Sequence, residues 1–283
     1  MVLYLTIAPY MDTKHYHFLS GLPRTGSTVL ASILSQNPSI YVSATSPLVG
    51  LMHGAKHMWD TAEHVKAYAT EGQIEATLRG MINGFYSLVE RPIILDKNRA
   101  WANPENQDML TLALGVPPKI VCTVRPIADI LASFMVLIRK NSSTVSFVDQ
   151  SLIELGEDIN DVNRCKLLMS PDGHVFQSWS VLRMGWERYP EHMLFVEYDD
   201  LVSAPERELA RVYEFLALPP FAHDLQHIQN TVQEDDIAAY HLPGMHAIRP
   251  ALGKISHDAR EVLGDELFAQ YQGGEFWKTS ERL

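Results

Sequence analysis

The stretch "SGLPRTGST", Ser20–Thr28, holds Gly21 and Gly26 with Arg24 between them and the hydroxyls of Ser27 and Thr28 behind. It nearly matches the nucleoside-triphosphate pattern G-x-x-x-x-G-K-[ST], in which the lysine reaches the terminal phosphates and the hydroxyl binds magnesium. Ser27 stands in the lysine position, and the cation is Arg24, three residues earlier. The spacing therefore offers an anion cradle without the lysine that triphosphate chemistry uses. Outward-pointing N–H groups at a helix N-terminus, aided by the helix dipole, suffice to hold a phosphate or sulfate. A plain tight turn with a solvated Arg24 has the same local sequence.

A second group is Arg125, at the end of "KIVCTVR", with Ser133 eight residues on. At about 3.6 residues per turn the two face one side of a helix. A guanidinium fork beside a hydroxyl suits a phosphate monoester, although Asp129 is also within reach of the same arginine. Lys97 closes the run "IILDK", and Lys254 sits in "ALGKIS". A lysine at the carboxyl end of a strand faces the ligand crevice of an α/β sheet, or else runs its stem along the surface. His53 and His57 lie one helical turn apart, a spacing shared by metal pairs and ordinary surface histidines. No H-E-x-x-H or Cys/His cluster occurs, so no metal site is expected. Nor is there a G-x-S-x-G elbow or a G-x-G-x-x-G after the first strand, which argues against a serine hydrolase and a nicotinamide enzyme.

The elements that position these residues alternate. "HYHFLSG" (15–21) reads as a buried strand, and "STVLASILSQNP" follows as a helix with Val29, Leu30, Ile33 and Leu34 on one stripe, closed by Pro38. Residues 46–90 have helical patterning. "RPIILDK" (91–97) is a second strand, and "PENQDMLTLALG" a helix that Gly115 ends. "PKIVCTVR" (118–125) is a third strand, and Pro126 opens the helix after it at the first-turn position that proline favours. Residues 145–190 are mostly helical by pattern, 193–198 form a fourth strand, and "APERELARVYEFLAL" is another helix. Beyond about residue 220 the chain is polar and loop-rich. This alternation specifies an α/β fold, a parallel sheet flanked by helices, with ligands beyond the carboxyl ends of the strands. One domain over residues 1–283 is expected, with helical segments around 46–90 and 141–190 walling an acceptor pocket.

Bulk properties narrow the function. The 283 residues carry 23 Lys and Arg against 34 Asp and Glu, a net charge of −11, which argues against nucleic acid as partner. No apolar run approaches the roughly 20 residues that span a bilayer. The N-terminus lacks a basic leader, and its two cysteines, Cys122 and Cys165, are too few for a disulfide framework, so a cytoplasmic protein without membrane association is expected. An anion-binding protein of this charge must concentrate its cations locally.

Together these motifs resemble the sulfotransferases that use 3′-phosphoadenosine-5′-phosphosulfate (PAPS), most of all the protein-tyrosine sulfotransferase-like branch and its microbial relatives. "GLPRTGSTVL" resembles their 5′-phosphosulfate loop, and "VRPIADILASF" their 3′-phosphate segment. "ILDKNRAW" is similar to the strand-terminal lysine segment, "VEYDDLVSAPERELARVYEFLALP" to a later strand–helix unit, and "ALGKI" to a C-terminal cofactor loop. The resemblance implies a P-loop-like sulfotransferase fold and metal-independent sulfuryl transfer from PAPS to a hydroxyl, with amines as a second choice. By the same resemblance Thr25, Gly26, Ser27 and Thr28 cradle the 5′-phosphate. Arg125 and Ser133 hold the 3′-phosphate, Lys254 adds a cofactor contact, and Arg24 and Lys97 act at the leaving oxygen. Small-molecule, acyl, sugar and peptide hydroxyls all remain open as acceptors. The sequence departs from the branch at Thr45, where the branch carries a Glu. His53 is the candidate replacement base, with Asp96 behind it. The rival readings are a nucleotide-binding or sensor protein without catalysis, and a P-loop kinase, which Ser27 disfavours.

Overall fold

The structure, a computed structural model, describes residues 14–231, 234–253 and 258–278. Five parallel strands form one sheet in the order β2–β3–β1–β4–β5. These are β1 (His15–Gly21), β2 (Ile40–Thr45), β3 (Ile93–Lys97), β4 (Ile120–Val124) and β5 (Met193–Glu197). The glycine-loop strand β1 is therefore central, with the Lys97 strand on one side and the Arg125 strand on the other. β2 is an edge strand that the sequence reading does not assign. Its run "IYVSAT" is short and half-polar, as suits a strand with one neighbour.

Successive residues of β1 point to opposite faces. Phe18 joins a core with Ile94, Ile120, Trp101, Leu131 and Phe134, whereas Leu19 joins the other with Leu30, Leu34, Leu95, Val121 and Val212. The second layer is covered by α1 (Ser27–Leu34) and by helix Pro205–Leu216, which contacts β5. The first is covered by α2 (Leu48–Thr61), α4 (Gln73–Phe85), α5 (Pro104–Leu114) and α6 (Ile127–Lys140), then α7 (Phe147–Leu155), α8 (Asp161–Leu168) and α9 (His174–Arg188), while the short α3 (Glu63–Tyr68) buries no residue. The chain continues through α10 (Tyr198–Ser203), α11 (Pro205–Leu216), α12 (Asp236–Tyr240) and α13 (Ala259–Tyr271), the last packed on α6.

Local signals explain the joints. Asn103 caps α5 through its side chain with Pro104 in the first turn, and Gly115 ends the helix in the left-handed conformation. Pro126 is the N-cap of α6 rather than its first helical residue. Among the described residues no helix is long and apolar enough to cross a membrane.

Candidate active site

The Ser20–Thr28 stretch forms the turn between β1 and α1. Gly21 has φ 139°, and a Cβ there would lie 2.3 Å from the Thr123 carbonyl oxygen, so only glycine lets the loop leave the sheet against β4. Gly26 caps α1 in the left-handed region, with φ 78° and ψ 16°. Arg24, which is not a glycine, also has positive φ, 61°. Such a backbone costs about 1–2 kcal/mol, and strained residues of this kind gather where a loop must present groups to a ligand. Thr25 ties the turn down, donating from Oγ1 to the Leu22 carbonyl at 2.7 Å and meeting Thr123 Oγ1 at 2.7 Å.

Arg24 and Arg125 converge. The Arg24 Nε donates to Ser133 Oγ at 3.2 Å, and its Nη1 donates to the Met245 carbonyl. Burial, followed by the neighbouring Arg125 charge, pushes the Arg24 pKa down to about 10. Arg125 is buried, with its guanidinium 4.6 Å from the centre of the Tyr198 ring and its Nε lacking a hydrogen-bond partner among the described residues. Both arginines line a cavity of about 360 Å³ together with Thr25, Gly26, Ser27, Thr28, Ser133, Arg99, Lys140 and Arg249. In a chain of net charge −11 this is a local concentration of cations.

A second cavity, of about 110 Å³, adjoins it. Thr45, Lys97, Asn98 and Tyr240 line this one, and Ser27, Arg99 and His246 line both. Thr45 and Lys97 are register partners at the ends of β2 and β3. Lys97 Nζ pairs with Glu234 Oε1 at 2.6 Å, and Thr45 Oγ1 donates to Glu234 Oε2 at 2.9 Å. His246 Nε2 lies 3.4 Å from Glu234 Oε2, while Asp236 holds the ring through Nδ1 at 2.5 Å. Burial pushes the Lys97 pKa down against the opposing pull of Glu234, and it likewise lowers that of His246. Arg99 is packed against His174 through Nη1 and hydrogen-bonds Tyr240; burial again lowers its pKa.

The structure thus brings Arg24, Thr25, Gly26, Ser27, Thr28, Arg125 and Ser133 into one cavity and Lys97 into its neighbour. It pairs Ser133 with Arg24, where the sequence suggests Arg125. His53 does not reach either cavity. Met52 is buried inward on α2, and the next residue turns about 100° away from it, leaving the exposed His53 ring stacked on His57 in a surface depression with Lys56, Asp60 and Glu105. Asp96 is not behind it: that carboxylate is buried, bound by Tyr86 Oη and by Trp101 Nε1 at 2.6 Å. Lys254 lies outside the described residues. The segments 46–90 and 141–190 are helical, but the smaller cavity takes its far wall from Tyr240 and His246. The sequence reading misses Arg99, Glu234, Asp236 and His246. Arg99 stands two residues past Lys97, a position that invited attention; the others lie in a polar loop with no motif.

The family model described as the sulfotransferase family matches residues 18–223. Protein-tyrosine sulfotransferase A of Caenorhabditis elegans is 24% identical over 215 residues, 74% of this chain and 52% of its own, so the chain spans about half the length of that relative. Among solved structures, a sulfotransferase domain from the curacin biosynthetic pathway is 18% identical with a TM-score of 0.49, covering 92% of each chain. A sulfotransferase from Alicyclobacillus acidocaldarius is 16% identical with a TM-score of 0.46, covering 91% of each.

Proposed function

Because this chain belongs to the sulfotransferase family, we propose that it moves a sulfuryl group from PAPS to a hydroxyl acceptor, with amines as the second acceptor class. The observation that carries the reading is Arg125, buried with an Nε that has no partner among the described residues, in the cavity that Arg24 and the glycine loop also line. Two buried arginines side by side repel one another, and a buried donor without a partner is costly. A ligand with two separated anionic groups resolves both. The cavity volume of about 360 Å³ falls within the range of small-molecule sites, roughly 300–1,000 Å³.

The residues present fit the donor nucleotide. Residues 25–28 would hold its 5′-phosphate at the N-terminus of α1, and Arg125 with Ser133 its 3′-phosphate. PAPS, when bound, supplies an activated sulfuryl group whose transfer leaves negative charge on the nucleotide. Lys97 and Arg24 are the cations for that charge, Arg24 after exchanging the Met245 carbonyl for the ligand. Preorganised donors of this kind typically contribute about 2.7–4 kcal/mol each in the transition state. The acceptor, whether small molecule, acyl chain, sugar or peptide, would enter beside Thr45, Lys97 and His246.

The test is ligand-induced thermal stabilisation by 3′-phosphoadenosine-5′-phosphate (PAP) against ADP with magnesium. At 100 times Kd a ligand adds about 2.7 kcal/mol, a rise in Tm of about 5–10 °C for a chain of this size. PAP is expected to produce it, and ADP at the same concentration far less. Equal stabilisation by both refutes the reading. One observation favours a second reading, a nucleotide-binding or sensor protein without catalysis: Lys97 is closed in an ion pair with Glu234. Release of PAP from PAPS above the spontaneous rate separates the two.

A further inference from the structure

We infer that Glu234 is the proton acceptor of this site, a carboxylate delivered by the C-terminal segment to the tip of β2 where Thr45 stands. The inference rests on the sulfotransferase reading above and supplies the base that β2 lacks. Two hydrogen bonds fix the carboxylate, from Thr45 Oγ1 at 2.9 Å and Lys97 Nζ at 2.6 Å, and His246 Nε2 lies 3.4 Å away. Thr45, Lys97 and His246 all line the smaller cavity, and the carboxylate stands directly behind them, bridging the tips of two adjacent strands. Its side chain is 9% exposed, and so is that of Lys97. A base for in-line displacement must stand near the cation that receives the leaving charge, with the reacting atoms between the two. Glu234 and Lys97 meet that requirement once they part.

The step balances without a further reactant. The acceptor oxygen bonds to sulfur as the sulfur–oxygen bond to the nucleotide breaks, the electron pair leaves on the phosphate oxygen facing Lys97, and the acceptor proton passes to Glu234 and then to water. His246, held by Asp236 through Nδ1 and through its backbone N–H at 3.0 Å, stands beside Oε2, and its Nε2 donates to the carboxylate once the ring is protonated. The charged and titratable groups around Glu234 are Lys97, His246, Arg99 and, behind His246, Asp236. Burial pushes the Glu234 carboxyl up, and the charge and hydrogen bond of Lys97, with His246 and Thr45, more than offset it, so the net shift is down. When Lys97 turns to the donor, the pairing goes and the burial stays. The carboxylate becomes a stronger base at the moment one is needed.

The experiment uses the full chain with Glu234→Gln and with Thr45→Glu/Glu234→Gln, read by PAP affinity in calorimetry and by PAP release from PAPS with water and with phenols as acceptors. Glu234→Gln is expected to bind PAP as tightly as the parent or up to tenfold tighter, since Lys97 no longer leaves a carboxylate to reach it. Turnover should fall about 10²–10⁴-fold, the usual contribution of a general base. The exposed Thr45 site accommodates a glutamate, and the double variant should recover at least tenfold of that loss. Unchanged turnover in Glu234→Gln, or joint loss of PAP affinity and turnover, overturns the assignment while the sulfotransferase reading stands. A parent protein that binds PAP without cleaving PAPS overturns it too. A parent that fails to prefer PAP over ADP sinks the sulfotransferase reading itself, before Glu234 is considered.

Discussion

Replacing Arg125 by Met asks the sharpest question of the anion cavity, because it removes a charge and keeps an unbranched stem. Arg125 contributes a cation–π contact with Tyr198 at 4.6 Å, worth about 0.5–2 kcal/mol. Against that stands its proximity to Arg24, whose pKa is pushed down to about 10 by burial and then by the Arg125 charge. The Met side chain still packs on the ring, and the repulsion disappears, so unfolding free energy should change by no more than about 1 kcal/mol. Ligand binding should respond far more. A guanidinium fork makes two charge-assisted hydrogen bonds to a phosphate, each worth about 1.5–3 kcal/mol. Their loss corresponds to a 10²–10⁴-fold weaker PAP complex. ADP lacks the 3′-phosphate, so its affinity should stay within threefold of the parent. Calorimetric titration of both nucleotides into both proteins reads this directly. If Arg125→Met weakens PAP and ADP alike, or neither, residue 125 does not hold a second phosphate and the two-anion geometry is wrong.

Other perturbations test other parts of the molecule. Lys97→Met leaves Glu234 nine-tenths buried without its cation and should destabilise the protein by about 3–5 kcal/mol; adding Glu234→Gln should restore at least half of that in urea melts, and strict additivity would show that the pair is not coupled. Burial, then the Arg99 charge, pushes the His174 pKa down to about 3, and burial, then the Lys119 charge, pushes that of His17 down to about 4. Both lie below the unfolded value of 6.5, so the unfolded chain binds more protons and stability is lost as pH falls from about 6.5 toward those values. Each site accounts for about 2 kcal/mol between pH 7.5 and pH 5, and His174→Gln should flatten the Tm profile over that range; an unchanged slope refutes the burial argument. Gly26→Ala places a Cβ 2.9 Å from Tyr198 Cδ2 at φ 78° and should cost about 1–2 kcal/mol while abolishing detectable PAP stabilisation. His53→Ala, on an exposed helix face, should leave both PAP affinity and PAPS cleavage unchanged.

The parts legible in the sequence are those that local chemistry dictates. Gly21 and Gly26 mark a strand-to-helix turn because no other residue has both the φ range and the missing Cβ, and the apolar runs ending at Lys97 and Arg125 declare buried parallel strands. The edge strand β2 has no such run, because a strand with one neighbour needs fewer apolar residues. His53 misleads because spacing along a helix does not say which face is buried; Leu48, Val49 and Met52 answer that question, and they point elsewhere. Glu234 is invisible for a different reason. It is separated from Lys97 by 137 residues, lies beyond the matched family region that ends at 223, and acquires meaning only when the C-terminal segment folds over the strand tips.

That division between strand tips and returning segment has a consequence for how the site works. The sheet supplies cations and amides at fixed positions: Arg125 follows β4, Lys97 ends β3, and the loop after β1 lies between them. In the proposed reading all of these meet the donor nucleotide. The groups facing the smaller cavity from the far side, Tyr240 and His246, with Glu234 and Asp236 behind them, come from residues 234–253 and rest on the sheet through side-chain contacts. A loop held in this way tolerates substitution better than a sheet core. Placing the proton acceptor there separates two tasks that a strand-borne glutamate would fuse. The donor site stays rigid, while the base and the acceptor wall vary together. The ion pair between Lys97 and Glu234 then couples the halves, because donor binding draws off the lysine and releases the carboxylate that the acceptor requires.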